Sequence, residues 1–332
     1  MAPRVSVIVP ARNESAHIEQ CLASIFEQAV DGGFEVIVAD GASTDDTAAR
    51  ALAAGARVVE NPTGATPAGL NAALAAAAGS VVVRFDAHAE MPPGYLAACT
   101  AALEQVPGAV NVGGWRDVRW RGPWGRATGG ALRSRFGVGN PTIWRRPEPG
   151  AERRDVDTVP LGCWPVEVLR AAGGWNEEFI RNQDFELNHR LRADGGRVVF
   201  DPAISSTYYP RESLEALGRQ YWQYGRFKAR MLAADPGSLR PRQLAPLGLA
   251  GALVAAAVPG RVGSAGRALL GAYAGVLAVA TVKGRAGWRV APVLATMHAT
   301  WVAGLLYEAV SALPGESAGE AQPVGDASEP QR

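Results

Sequence analysis

Three polar clusters follow directly on apolar, β-branched runs in the first ninety residues. They are Arg12-Asn13-Glu14 after VSVIVPA, Asp40 after FEVIVA, and Asp86-Ala87-His88 after VVVRF. Side chains two residues apart on extended chain point the same way, so the Asp86 carboxylate and the His88 imidazole are spaced to act together. Carboxylate oxygens suit Mg²⁺ or Mn²⁺, and Mn²⁺ also accepts an imidazole nitrogen. His88 can alternatively be read as a polar turn residue. Asp40 fits two roles as well, a ligand contact or a cap for the GASTDDT segment that it opens. The coincidence of three such clusters favours a ligand site.

Residues of this kind converge only if the runs before them are neighbouring strands. Val5–Val9 reads as a strand covered on both faces, and Phe34–Ala39, Arg57–Glu60 and Val81–Phe85 read as further strands. Between the first two, Ile18, Cys21, Leu22, Ile25 and Phe26 form one apolar helical stripe. A second helix opens near Ser43 or Thr44, with Asp45 and Asp46 at its positive end. A third starts at Thr66-Pro67, with proline at the tolerated first position. Strands separated by single helices make parallel βαβ units, whose ligands bind at the carboxyl ends of the strands. All three polar clusters occupy such ends.

Composition narrows the function further. The chain has 332 residues, 48% hydrophobic and 20% charged, enough for one large domain with an appendage or two smaller ones. A net charge of +1 argues against a nucleic-acid binder. Cys21, Cys99 and Cys163 lie far apart, which disfavours both a disulfide framework and a thiolate zinc site. The first apolar run is too short for a signal peptide and reads as a strand. No GxGxxG follows the first strand and no GxxxxGK[ST] occurs, so any nucleotide is held by side chains and a metal.

The middle region, residues 110–160, reads as irregular. Trp115 to Arg154 holds ten arginines and four of the nine tryptophans. Beyond it, Val166–Ala172, Asp184–Asp194 and Ser213–Met231 are expected helices, with Arg197–Phe200 a short strand. Three apolar stretches follow, Leu244–Val258, Ala268–Val282 and Val290–Leu313. The first two fall short of the roughly 20 residues a spanning helix needs. Basic residues flank the stretches on both sides, which leaves topology open. A soluble helical bundle is the alternative, and membrane association is the expectation. The tail after Pro314 is polar and expected to be disordered.

Taken in order, VSVIVPARNE, VIVADGASTDDT and VVVRFDAHAEMPPGYL resemble the amino-terminal half of family 2 glycosyltransferases of GT-A fold. The likeness continues in VPLGCWPVEVLRAAGGWNEEFIRNQDFELNHRLRADGGRVVFDP and YYPRESLEALGRQYWQYGRFKAR. These later segments are most similar to the succinoglycan-biosynthesis type of bacterial exopolysaccharide assembly. The resemblance covers about residues 4 to 235. It implies an α/β fold, the GT-A (nucleotide-diphospho-sugar transferase) mixed, mainly parallel sheet flanked by helices, followed by a C-terminal apolar helical region. The implied domain divides into a nucleotide-binding half (1–110) and an acceptor and catalytic half (111–235). Membrane-associated helices (236–313) and the tail (314–332) complete the chain.

By the same resemblance the protein is an inverting hexosyltransferase acting at the cytoplasmic face of the bacterial membrane. It takes a UDP-sugar donor and a lipid-linked or growing saccharide acceptor, with Mn²⁺ or Mg²⁺ as cofactor. Pro10, Arg12, Glu14 and Asp40 line the base and ribose pocket, and Gly69 and Asn71 approach the nucleotide. Asp86 and His88 hold the metal; the usual motif is Asp-x-Asp, and the histidine shifts the expectation towards Mn²⁺. Arg84 is open between a diphosphate contact and a salt-bridged strand arginine. Asp184 is the base that takes the acceptor proton. Without the family it reads more readily as a helix cap, and Glu186 is the reserve candidate. Trp115, Trp164, Gln220, Trp222 and Arg226 mark the acceptor region, the last three by general location alone. The stretch from Trp115 to Arg154 fits aromatic platforms for a sugar with arginines for a lipid-linked pyrophosphate, or alternatively a flexible surface loop with incidental arginines. A sugar-nucleotide pyrophosphorylase would need a Gly-rich signature near the first strand. A noncatalytic membrane-associated binding scaffold would lack the metal or base residues.

Overall fold

The βαβ alternation expected from sequence recurs in the computed structural model, which describes residues 2–139, 142–283 and 286–312. The opening elements are β1 (Val5–Ala11), α1 (Ile18–Phe26), β2 (Phe34–Asp40), α2 (Thr47–Ala53), β3 (Arg57–Glu60), α3 (Thr66–Ala76), β4 (Val81–Arg84) and α4 (Tyr95–Gln105). The middle of the chain holds β5 (Ala109–Val118), α5 (Pro123–Leu132), α6 (Arg135–Val138), β6 (Arg154–Asp155) and β7 (Cys163–Pro165). Then come α7 (Val166–Ala171), α8 (Gln183–Ala193), β8 (Arg197–Tyr208) and α9 (Leu214–Ala234). The last helices are α10 (Leu244–Ala256), α11 (Arg261–Lys283) and α12 (Val290–Ser311).

All eight strands form one mixed sheet in the order β3-β2-β1-β4-β7-β5-β8-β6. The β3-β2-β1-β4 half is parallel, in a register that sets Ala11 opposite Asp40 and Ile8 opposite Arg84. Antiparallel pairing begins at β7, where Cys163 faces Val83 and Trp164 faces Val82. Val5, Val7 and Val9 pack with α1 on one face, while Ile8, Ile37 and Ala39 pack with Leu70 and Leu74 of α3 on the other. That two-sided burial explains why these strands lack clean polar alternation. Phe26, placed by its spacing on the buried stripe, is 42% exposed, its ring tilted against that of Phe34 at 6.4 Å.

Several boundaries differ from the sequence expectation. The middle region is irregular only in part: β5 runs ten residues through Gly113 and Gly114 and α5 follows, while residues 145–153 form neither helix nor strand. A side chain at Gly114 would collide with the Ile204 carbonyl of β8, and one at Gly113 would meet Val159 at 2.8 Å. These glycines permit close backbone approach instead of marking a loop. α2 starts at Thr47, later than expected, because the carboxylate of Asp45 accepts from Thr47 N–H (3.0 Å) and Ser15 N–H (3.2 Å). α11 is 23 residues, longer than its charge-free stretch, because Arg261 and Arg267 lie within it. The tail 314–332 lies outside the described residues.

Among the described residues, those up to 117 together with 146–207 form one compact unit, and 118–145 with 208–312 form a second. This division differs from the boundaries expected at 110 and 235. Within the second unit, α9 and α12 run in the same direction at very close range. Side chains at Gly225 or Gly304 would collide with the carbonyls of Trp301 and Trp222 respectively. Arg226 and Arg230 of α9 both pair with Glu308 near the end of α12.

A buried polar network joins β5, β7 and α8 in the first unit. Asn111 donates to Asn188 Oδ1 (2.7 Å) and accepts from Cys163 N–H (3.1 Å), and Asn188 donates to Thr158 (2.9 Å). Asn111→Ala strands the Cys163 N–H and the Asn188 carbonyl oxygen, and is expected to cost about 1–3 kcal/mol. Denaturant unfolding checks this; an unchanged midpoint would remove the network from the stability account.

Candidate active site

The loops after β1 and β2 are locked together by their own polar groups. Asn13 adopts a left-handed φ of 52° and donates its N–H to Ser43 Oγ (3.0 Å), while its side-chain oxygen accepts from Thr44 N–H (2.8 Å). Asp40 accepts from the N–H (3.1 Å) and hydroxyl (2.6 Å) of Ser43. It therefore fills the turn role that its position left open. The exposed side chain of Arg12 lies across Gly41 and Gly64, the latter in the left-handed region at φ 67°. Pro10 sits half-buried near the end of β1.

The decisive geometry lies at the end of β4. Arg84, with a side chain only 9% exposed, reaches two carboxylates at once. Its Nη2 donates to Asp86 Oδ1 at 3.0 Å and its Nη1 donates to Asp184 Oδ2. Asp86 and Asp184, nearly a hundred residues apart in sequence, are thus held on one guanidinium. The other oxygen of Asp184 accepts from the Trp175 indole N–H at 3.3 Å. Asn182, at a left-handed φ of 61°, occupies the cap position of α8, so Asp184 is the second helical residue and its carboxylate is not a cap. Of Arg84's two open roles, the ion-paired strand arginine is the one realised.

Charge around Asp86 is mostly positive. Burial alone would raise its carboxyl, but Arg84, then His88 and Arg116, outweigh burial and hold it below the ordinary value of 3.8. His88 points its Nδ1 at Glu14 Oε1 (3.0 Å), and Glu14 Oε2 meets His17 Nδ1 (3.1 Å). Among the described residues no three His, Cys, Asp or Glu side chains cluster as a ready metal cage. The protein offers one carboxylate and one imidazole at this point.

Several expected contacts serve a different purpose. The Asn71 amide donates to the Trp175 carbonyl (2.8 Å) and Glu177 (2.9 Å) and accepts from Trp175 N–H (2.9 Å). It fastens the segment that carries the indole bound to Asp184. Gly69 is buried, and a side chain there would meet Asn61 at 2.8 Å, so it packs α3 onto the sheet. Trp164 is fully buried against Trp175 (5.4 Å, edge-on) and offers no face to a saccharide. Trp115 is half-buried and lines a shallow cleft with Arg146, Glu148 and Ser205. Glu186 pairs with Arg190 on its own helix (2.6 Å). In the second unit, Gln220 donates to Tyr224 (3.0 Å), while Trp222 and Arg226 pack on Tyr307 of α12. Arg116 and Trp175 were missed from sequence, where only the Arg-Trp richness near Arg116 could have drawn notice.

Residues 6–164 match the model of glycosyl transferase family 2. The chain is 31% identical to the succinoglycan biosynthesis protein ExoA of Rhizobium meliloti, over 91% of this chain and 94% of that protein. The chain belongs to glycosyl transferase family 2. Its fold is shared with the mannosyltransferase PcManGT of Pyrobaculum calidifontis, solved with GDP-Man and Mn²⁺, at a TM-score of 0.64 and 21% identity. That alignment covers 94% of this chain and 89% of the mannosyltransferase. A Methanococcus voltae dolichyl-phosphate-sugar glucuronosyltransferase is 24% identical over 69% of this chain and 74% of its own length. The glycosyltransferase is thus of the succinoglycan-biosynthesis type, on a mixed GT-A sheet.

Removing the guanidinium leaves two part-buried carboxylates in one site. Arg84→Met is expected to destabilise this glycosyltransferase by about 3–5 kcal/mol at neutral pH, read by denaturant unfolding. The depressed Asp86 value makes its contribution complete above 3.8 and lost as pH falls through the lower folded value. Arg84→Met should therefore flatten the acid limb of the stability curve below about pH 4, where unperturbed carboxylates titrate. An acid limb as steep as in the unmodified protein would contradict the charge coupling.

Proposed function

We propose that this enzyme is a metal-dependent, inverting hexosyltransferase that uses a UDP-sugar donor and a lipid-linked or growing saccharide acceptor. The observation that carries the reading is the Asp86–Arg84–Asp184 bridge. It puts a carboxylate suited to the donor side and a carboxylate suited to the acceptor side in one part-buried cluster.

A divalent cation fits the donors present, an oxygen from Asp86 and a nitrogen from His88, with diphosphate oxygens to complete the shell. When bound, it would offset the charge that gathers on the departing nucleoside diphosphate. Arg84 and Arg116 add positive charge on the same side. Asp184, aimed by the Trp175 indole and Arg84, would accept the proton of the acceptor hydroxyl as that oxygen attacks the anomeric carbon. An α-linked donor would then give a β-linked product. Pro10, Arg12 and Asp40 border the donor pocket in this reading, and Trp115 is the surviving acceptor platform in the first unit. The fold-sharing mannosyltransferase carries GDP-Man, so GDP-sugars belong in the donor panel beside UDP-sugars.

Membrane association rests on the second unit. α11 is long and apolar enough to cross a bilayer by length and composition, as is Gly287–Ser311, which contains α12. Leu253 (59%), Val254 (73%), Leu269 (60%) and Val282 (86%) stand exposed on α10 and α11. Surfaces of that kind favour lipid over water. α12 turns one face onto the charged helix α9, so protein rather than lipid covers that side. The cytoplasmic face follows from a nucleotide-sugar donor, which is made inside the cell.

The deciding experiment incubates purified protein, Mn²⁺ or Mg²⁺, a panel of UDP- and GDP-sugars and a bacterial lipid extract, with mass-spectrometric detection. Metal-dependent transfer from a UDP-sugar is expected. Failure to bind or turn over any nucleotide sugar would sink the proposal. Asp184→Asn should cut transfer by about 10²–10⁴-fold while UDP binding survives. If UDP binding were lost with it, the base role would be wrong. Carbonate-washed membranes should retain the protein; release into the wash would count against burial in lipid.

A further inference from the structure

Glu14 is expected from family resemblance to face the ribose, yet both of its carboxylate oxygens already carry an imidazole. Oε1 meets His88 Nδ1 at 3.0 Å and Oε2 meets His17 Nδ1 at 3.1 Å. Its backbone is pinned as firmly. The Glu14 N–H donates to Thr47 Oγ1 at 2.8 Å, and its carbonyl accepts from His17 and Ile18 N–H at 2.9 Å each. The Glu14 side chain is 20% exposed while His88 is 50% exposed. The carboxylate is therefore the fixed partner of the pair and the imidazole the one that needs holding.

An imidazole, unlike a carboxylate, must choose a tautomer and a ring orientation before it can ligate. A carboxylate on one ring nitrogen makes both choices, because the proton stays on that nitrogen and the lone pair sits on the other. We propose that Glu14 is the positioning residue of His88: it accepts the Nδ1 proton and leaves Nε2 as the nitrogen offered, with Asp86, to a divalent cation. The negative charge that an Asp-x-His motif lacks relative to two aspartates returns one layer behind the histidine. This inference rests on the metal role proposed for Asp86 and His88. It reassigns Glu14 from nucleotide contact to support of that role.

The test reads metal binding rather than turnover. The full-length protein is titrated with Mn²⁺ in the presence of saturating UDP, with free Mn²⁺ followed by electron paramagnetic resonance. UDP binding is measured separately in chelator. Glu14→Ala is expected to weaken Mn²⁺ binding by about 10–100-fold and to leave metal-free UDP binding unchanged. Glu14→Gln keeps an acceptor oxygen and should recover part of the loss. Adding Glu14→Ala to His88→Ala should cost nothing further, since the glutamate acts through the histidine. Three results overturn the proposal. One is unchanged Mn²⁺ affinity in Glu14→Ala. Another is a full additional loss in the double variant. The third is weakened UDP binding in chelator, which would restore Glu14 to the nucleotide pocket. If His88→Ala itself leaves Mn²⁺ affinity intact, the metal role of His88 fails first and the support role with it.

Discussion

One guanidinium holds the site together. A charge as buried as Arg84 is tolerated only when it is paired, and Arg84 is paired twice, to Asp86 from its own strand end and to Asp184 from α8. Each carboxylate alone would face the cost of leaving water and the repulsion of the other. The planar fork of arginine satisfies both at once, as a lysine ammonium with its single charge centre does less well. The sheet makes this possible by changing direction. β7 lies antiparallel beside β4 and runs straight into α7, so the segment that follows can bring the first turn of α8 over the end of β4.

Around that bridge, polar residues that look like ligand contacts support other side chains. Asn71 uses its whole amide on the backbone of Trp175 and on Glu177, and Trp175 in turn orients Asp184. Glu14 divides its carboxylate between two histidines. Asp40 closes its own turn through Ser43. Such an arrangement suits glycosyl transfer, in which the groups touching donor and acceptor must be held rigidly before the nucleotide arrives.

The second unit obeys a different constraint. Gly225 and Gly304 let α9 and α12 approach backbone to backbone, and Glu308 closes the far end on two arginines. α12 is thereby committed on one side to protein. α11 is tied to α12 by Tyr273 and His298 (2.9 Å) and to α10 by Arg267 and the Ala256 carbonyl (3.0 Å), while large apolar side chains of α10 and α11 stand exposed. Just before α12, Trp288 meets Trp124 of α5 edge-on and Arg289 lies over the Trp124 ring.

Much of this was legible from residue order alone. β-branched runs alternating with apolar helical stripes determined the parallel half of the sheet, because burial on both faces leaves no other pattern. The motifs from Val5 to Arg230 determined the family, and strand ends located Asp86 and His88. The mixed half of the sheet was hidden, since Gly113 and Gly114 look like a loop until β8 is seen pressing on them. Which polar side chain touches which is a matter of distance between segments far apart in the chain. Asp184 reads as a cap in its local sequence and becomes a partner of Arg84 only when α8 packs over β4. Trp164, expected in the acceptor region, is buried because its strand lies inside the sheet. Local sequence sets backbone preference and periodicity, which are short-range; the pairing of charges depends on three-dimensional proximity, and only the folded chain supplies it.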